Sequence, residues 1–226
     1  MKKISLSILA GAALFLAACG GNTSRDTATS GAQEVAAKQG DVYTVDLESS
    51  KVSWKAFHKG GFAPRWGTLS LKSGEVSFAD GELAAGDFVI DMQSLKVDST
   101  SVTEKDKKYT ELEAHLKSKD FFDVEKNPTA DFKITKVEAL AADAAKEAVT
   151  GANKTVSGNL TLLGKTLNVS FPAKVVLAGE NVSVAATFTV NRTDWGIKFG
   201  ATAADPAEWM ISKDIEISID LKAVKK

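Results

Sequence analysis

Residues 182–190 read Val182-Ser183-Val184-Ala185-Ala186-Thr187-Phe188-Thr189-Val190, and residues 215–221 read Ile215-Glu216-Ile217-Ser218-Ile219-Asp220-Leu221. In both, every second side chain is apolar and those between are mostly small or polar. Successive side chains of a strand point to opposite faces, so this period predicts strands with one oily and one wetted face. The pattern recurs upstream at Val52, Trp54 and Ala56, then at Leu69 and Leu71, then at Phe88, Ile90 and Met92. It continues at Phe132 and Ile134, at Val156, Leu160 and Leu162, and at Leu167, Val169 and Phe171. The count comes to about eight to ten strands. Parallel strands buried on both faces would read as continuous apolar runs, so the alternation predicts an antiparallel sheet.

Val76 and Phe78 lead into Asp80-Gly81, a two-residue hairpin signal. Thr103 to Lys119 breaks the period. Tyr109, Leu112 and Leu116 are spaced for a helix, with Thr103 and Asp106 placed as a capping box, so one amphipathic helix is predicted over 103–119. The Ala-rich stretch 138–155 reads as a long hairpin excursion. Trp195-Gly196 reads as a structural corner. A sheet this wide splits into a sandwich or closes into a barrel. A barrel of about eight strands is either filled by its own side chains or holds one small ligand. Periodicity leaves these choices open.

The chain opens on Lys2 and Lys3, followed by an apolar run from Ile4 to Ala18. That run is shorter than the roughly 20 residues of a membrane span, so 1–18 reads as a secretory signal peptide. It ends Leu16-Ala17-Ala18-Cys19, which resembles the lipobox of bacterial lipoproteins. The resemblance implies cleavage before Cys19, acylation (palmitate among the chains) of its thiol, and a membrane anchor. Residues 20–41 are rich in Gly, Ser, Thr, Ala and Gln and read, with Cys19, as a lipidated flexible tether. The predicted domains are therefore 1–18, 19–41 and a globular unit over 42–226. Gly20 is not the Asp that argues for inner-membrane retention. The expected location is the bacterial cell envelope, facing the periplasm, on the outer membrane in preference to the inner.

Composition narrows the chemistry. A net charge of −1 supplies no field for nucleic acid. One Cys permits no intramolecular disulfide and no thiolate-rich metal site, and two His exclude a three-histidine site. No nucleophile elbow, zincin helix, P-loop or dinucleotide fingerprint occurs. The expectation is a non-enzyme with no cofactor and no metal.

Four segments carry a further resemblance. They are His115-Leu116-Lys117-Ser118-Lys119-Asp120-Phe121-Phe122-Asp123 with Pro128, Ile90-Asp91-Met92-Gln93-Ser94-Leu95 with Asp98, Val156-Ser157-Gly158-Asn159-Leu160-Thr161, and Asn191-Arg192-Thr193-Asp194-Trp195-Gly196. In this order they resemble the YceI-like family over about Tyr43 to Ala223. The resemblance implies a lipocalin-like antiparallel barrel of eight or slightly more strands, exported to the periplasm, whose apolar interior binds a polyisoprenoid or similar long-chain amphiphile. The lipobox, the long 138–155 stretch and the long Trp54–Gly67 turn depart from the family pattern.

On that reading Trp54, Phe78, Phe88, Ile90, Phe132, Leu160, Phe188 and Ile217 are the candidate tail-lining residues, with ordinary core packing as the alternative for each. His58, Lys59, Arg65 and Arg192 are candidates for a polar or anionic head, with solvated loop charge as the alternative. His115 reads as structural. The expected partners are an isoprenoid or other long-chain lipid, a membrane through the acyl chains on Cys19, and a second copy in a homodimer. The competing function is a filled-core scaffold or protein-interaction lipoprotein with no small-molecule ligand.

Overall fold

A computed structural model of the chain describes residues 27–58, 60–141, 149–201 and 210–226. The signal peptide, Cys19, Lys59 and the middle of the 138–155 stretch lie outside the described residues. The described residues form ten strands: β1 (Thr29–Gly31), β2 (Asp41–Val45), β3 (Lys51–His58), β4 (Arg65–Ala79), β5 (Glu82–Val97), β6 (Thr129–Ala139), β7 (Lys154–Leu162), β8 (Lys165–Ala178), β9 (Asn181–Asn191) and β10 (Ile211–Lys225). From β3 to β10 each strand pairs antiparallel with the next, and β10 returns to pair with β3. The sheet is a closed eight-stranded up-and-down barrel. Closure satisfies the edge groups that an open sheet this wide would leave bare.

The two remaining strands patch the wall where barrel strands diverge. β2 fits between β4 and the end of β10. β1 pairs with the start of β8, Thr29 opposite Val169. The predicted Asp80-Gly81 hairpin is present, with both residues at positive φ and Ala79 opposite Glu82.

Among the described residues the one α-helix, α1, spans Tyr109–Lys117. It is shorter than the 103–119 expected, and the capping box does not form: Lys108 holds the N-cap position without a side-chain hydrogen bond. Glu104 is instead drawn to Arg65 and Lys107, which holds 103–108 out of the helix. Leu112 and Leu116 pack on Trp54, Leu95 and Val97 at one end of the barrel. Glu113 ties α1 to the wall by accepting from the Val97 backbone N–H at 3.2 Å. The helix thus caps the end formed by the close of β3, β5 and β9 and the start of β4, β8 and β10. The opposite end is shut by Tyr43 and Phe78, in edge-to-face contact at 5.4 Å.

The 20–41 segment is not a free tether over its described part. Thr27 donates its backbone N–H to the Thr189 carbonyl at the helix-capped end. The chain then crosses the outside of the barrel diagonally. The Ala36 N–H reaches the Ile134 carbonyl, beside the β-bulge between Ile134 and Lys136. Gln39 and Asp41 reach Ser77 and Phe78 at the floor. Asn159 and Asn168 explain why a Gly/Ser/Ala-rich segment is held. Both alternate outward from the wall, yet each is buried. Asn159 accepts from the Gln33 N–H at 3.0 Å and donates to the Gln33 carbonyl at 2.7 Å. Asn168 donates to Asn159 at 3.0 Å. Two such bonds to backbone need no apolar side chain on the strap, which is why composition did not reveal it.

Candidate functional site

The inward face of the barrel encloses a cavity of about 470 Å³. Four rings from four strands form a belt around it. Phe171 and Phe188 stack at 4.0 Å, Phe132 lies 5.7 Å from Phe171, and Phe88 lies 6.3 Å from Phe132. Pairing register sets two inward rows. Phe88, Phe132 and Leu160 lie opposite one another across β5, β6 and β7. Phe188, Ile217 and Trp54 do so across β9, β10 and β3. Residues opposite in register share a face, so one inward residue in each strand brings in its whole row. Gly158 makes room for the belt: a Cβ there would meet the Phe132 ring at 2.2 Å.

Seven of the eight candidate tail residues, Trp54, Phe88, Ile90, Phe132, Leu160, Phe188 and Ile217, lie on the cavity wall. Phe78 does not. It points inward as alternation requires, but at the floor, where it packs on Tyr43. Period two gives the face and not the depth along the axis. Wall residues that the sequence reading passed over include Phe171, Ile134 and Val190 from the strands and Leu112, Leu116 and Phe122 from the cap. Phe171 belongs to the same alternation as Leu167 and Val169, so a fuller reading of that strand would have found it.

Among the described residues every ionisable side chain on the cavity wall sits at the helix-capped end. They are His58, Arg65, Lys107, Lys108, Glu111, His115 and Arg192. That end is the mouth. Arg65 donates to the Ser101 carbonyl at 2.8 Å and pairs with Glu104. The backbone N–H of Glu104 itself, and then Arg65, hold the Glu104 carboxyl well below its ordinary value, at about 2. His58 stacks on Phe62 at 5.3 Å. His115 hydrogen-bonds Asp120 at 2.9 Å and meets the edges of Phe121 and Phe199.

Arg192 is not a solvated loop charge. It is 2% exposed and donates to the carbonyls of Ser212, Ile197 and Ile211 at 2.9, 2.9 and 3.2 Å. Its guanidinium lies over the Phe121 ring at 6.0 Å. Burial lowers its pKa, opposed by the nearby Asp214 carboxylate. Those bonds lock the turn after β9 to the start of β10. Trp195, buried beside it, donates its indole N–H to the Leu160 carbonyl at 3.1 Å, and Gly196 turns the chain at φ 92°. The indole N–H of Trp54 is buried with no hydrogen-bond partner. Among the described residues no three His, Cys, Asp or Glu side chains are grouped to hold a metal.

Fold and cavity together define a closed antiparallel barrel, plugged at one end, with an oily interior reached through a polar mouth. Comparison with known proteins gives this class a family. The YceI-like domain model matches residues 43–223, and the chain belongs to that family. A UPF0312 protein of Pseudomonas putida is 30% identical over 193 residues, covering 81% of this chain and 86% of the relative. A UPF0312 protein of Pseudomonas aeruginosa is 28% identical over 151 residues, 62% of this chain and 70% of its own length. Among solved structures, BcnA of Burkholderia cenocepacia is similar at TM-score 0.58 and 22% identity, covering 80% of this chain and 99% of BcnA. A protein of Saccharophagus degradans, described as a polyisoprenoid binding domain implicated in plant cell wall breakdown, is similar at TM-score 0.55 and 15% identity, covering 81% and 98%. These two likenesses establish the barrel fold.

Proposed function

We propose that this protein binds one long-chain amphiphilic lipid, a polyisoprenoid or a chain of similar shape, with its tail along the barrel axis and its head at the mouth. The observation that carries the reading is the segregation of the wall. The interior is lined by apolar side chains, and among the described residues every ionisable group on the wall stands at one end. Such a site suits a molecule that is itself oily along its length and polar at one tip. The cavity volume lies in the range of small-molecule pockets. Each methylene-sized group of the guest removed from water contributes about 0.8 kcal/mol, so about ten of them support micromolar binding or better without a polar contact to the tail. The unpartnered Trp54 indole N–H is a donor that a hydroxyl or phosphate of the guest would satisfy. The description of the Saccharophagus domain as polyisoprenoid-binding points the same way.

In this reading the protein is a carrier or store and performs no chemistry on its guest. Acyl chains on Cys19 hold it in the cell envelope, facing the periplasm, on the outer membrane; the lipobox Leu16-Ala17-Ala18-Cys19 supports the anchor, and Gly20 in place of Asp supports the outer membrane. The filled-core scaffold is not favoured, because a cavity of about 470 Å³ remains inside the barrel. Purification from membranes followed by solvent extraction and mass spectrometry tests the proposal. The expected result is one long-chain lipid at near one-to-one stoichiometry. Repeated purification with no lipid, and no uptake of added polyprenol, would overturn it.

A further inference from the structure

We propose that the open end of the barrel rests on the bilayer to which the chain is anchored, so that the guest passes between membrane and cavity without crossing water. The inference deepens the proposed function and rests on its anchored part.

The first observation is the path of the N-terminal strap. β2 begins at Asp41, opposite Phe78 at the floor. A tether leaving the barrel there would draw the floor to the membrane and turn the mouth away. The strap reverses this. It runs from Asp41 back across the outer wall and leaves the barrel at the mouth. There Thr27 bonds the Thr189 carbonyl, and the Thr29 hydroxyl donates to the Asp194 carboxylate at 2.8 Å. From Thr27 to Cys19 is eight residues, a reach of at most about 29 Å. The anchor is thus confined to the side of the molecule where the cavity opens.

The second observation is the placement of exposed rings. Phe62, Tyr109 and Phe199 are 53%, 42% and 37% exposed, and all three belong to the mouth. Phe62 stacks on His58 of the cavity wall, Tyr109 opens the capping helix, and Phe199 lies against His115 and Phe121. Among the described residues the other exposed large apolar side chains, Val35, Leu47, Val176 and Val224, are aliphatic. Aromatic rings are the side chains that settle at a membrane–water interface. Three rim cations are paired with rim carboxylates, Arg65 and Lys107 with Glu104 and Lys108 with Glu111. Docking through rings in place of net positive charge requires no anionic lipid and is insensitive to salt.

The test uses the full acylated chain in phosphatidylcholine vesicles. Cys19 is the only cysteine, so single thiols added elsewhere are labelled selectively with an environment-sensitive dye. Lys105→Cys reports on the mouth and Glu180→Cys on the floor. Lipids carrying a nitroxide are expected to quench the dye at 105 at least threefold more than at 180. Adding Phe62→Ser and Tyr109→Ser is expected to remove most of that difference while the protein still floats with the vesicles. Equal quenching at the two positions, or stronger quenching at 180, overturns the docking while leaving the carrier reading intact. Labelling of Cys19 in the wild-type chain shows that the anchor is absent, and overturns the inference by that separate route.

Discussion

The carrier reading predicts that filling the barrel will evict its guest. Ala130 is the place to do it. It lies on β6 opposite Ile90, is 2% exposed, and forms part of the cavity wall. Replacing it with Phe puts a fifth ring beside the belt of Phe88, Phe132, Phe171 and Phe188. A ring there displaces about four methylene-sized groups of the guest. At about 0.8 kcal/mol each the loss is about 3 kcal/mol, or roughly a hundredfold in Kd. Overpacking a core costs about 1–3 kcal/mol of stability, so thermal unfolding is followed in parallel. The assay is displacement of a fluorescent long-chain lipid, with bound lipid counted by native mass spectrometry. Ser170→Phe, on the outer face of the same barrel, is expected to bind as the wild type does. A folded Ala130→Phe protein that keeps both affinity and stoichiometry would refute the argument, because the guest would then lie elsewhere.

Gly158→Ala is expected to cost about 1–3 kcal/mol of unfolding free energy, because its Cβ meets the Phe132 ring at 2.2 Å and the Lys133 carbonyl at 2.9 Å; urea denaturation showing no change would contradict the packing described. Asn159→Leu removes both bonds to Gln33, and hydrogen exchange at the Gln33 amide is expected to speed up at least tenfold while amides of the barrel strands keep their protection. The Glu104 carboxylate, depressed to about 2, contributes its full share to the mouth contact above its unfolded value near 4.5 and loses it as pH falls through about 2. A carbon NMR titration of that carboxyl is the check, and a midpoint above 4 counts against the Arg65 contact. Arg192→Met leaves the Ser212, Ile197 and Ile211 carbonyls without their donor and is expected to destabilise by about 2–4 kcal/mol in thermal unfolding, more than Arg65→Met at the wetter rim.

The barrel wall was legible because its information is local. Alternation at Val182–Val190 and Ile215–Leu221 assigns each side chain to a face, and pairing register does the rest. That is why Phe88, Phe132 and Leu160 form one inward row across β5, β6 and β7, and Phe188, Ile217 and Trp54 another across β9, β10 and β3. Depth along the axis is not local. Phe78 reads like Phe88 in sequence, yet one is in the floor and the other in the belt, since strand offsets around the ring set the height. Arg192 had the composition of a loop cation. It became a buried lock only when the start of β10 brought two of its three carbonyl acceptors within reach.

The tertiary structure alone fixed the role of the N-terminal strap. Its residues carry no apolar period, and a segment that cannot bury oil reads as tether. What holds it are two asparagines more than a hundred residues away, a contact between distant parts of the chain that no window of sequence displays. By itself the sequence determined that this chain is a two-faced antiparallel sheet with an oily interior, because that follows from the order of side chains along each strand. Which end opens, which end is plugged and from which end the tether departs were decided by closure of the ring, because closure sets distant strands at fixed heights against one another.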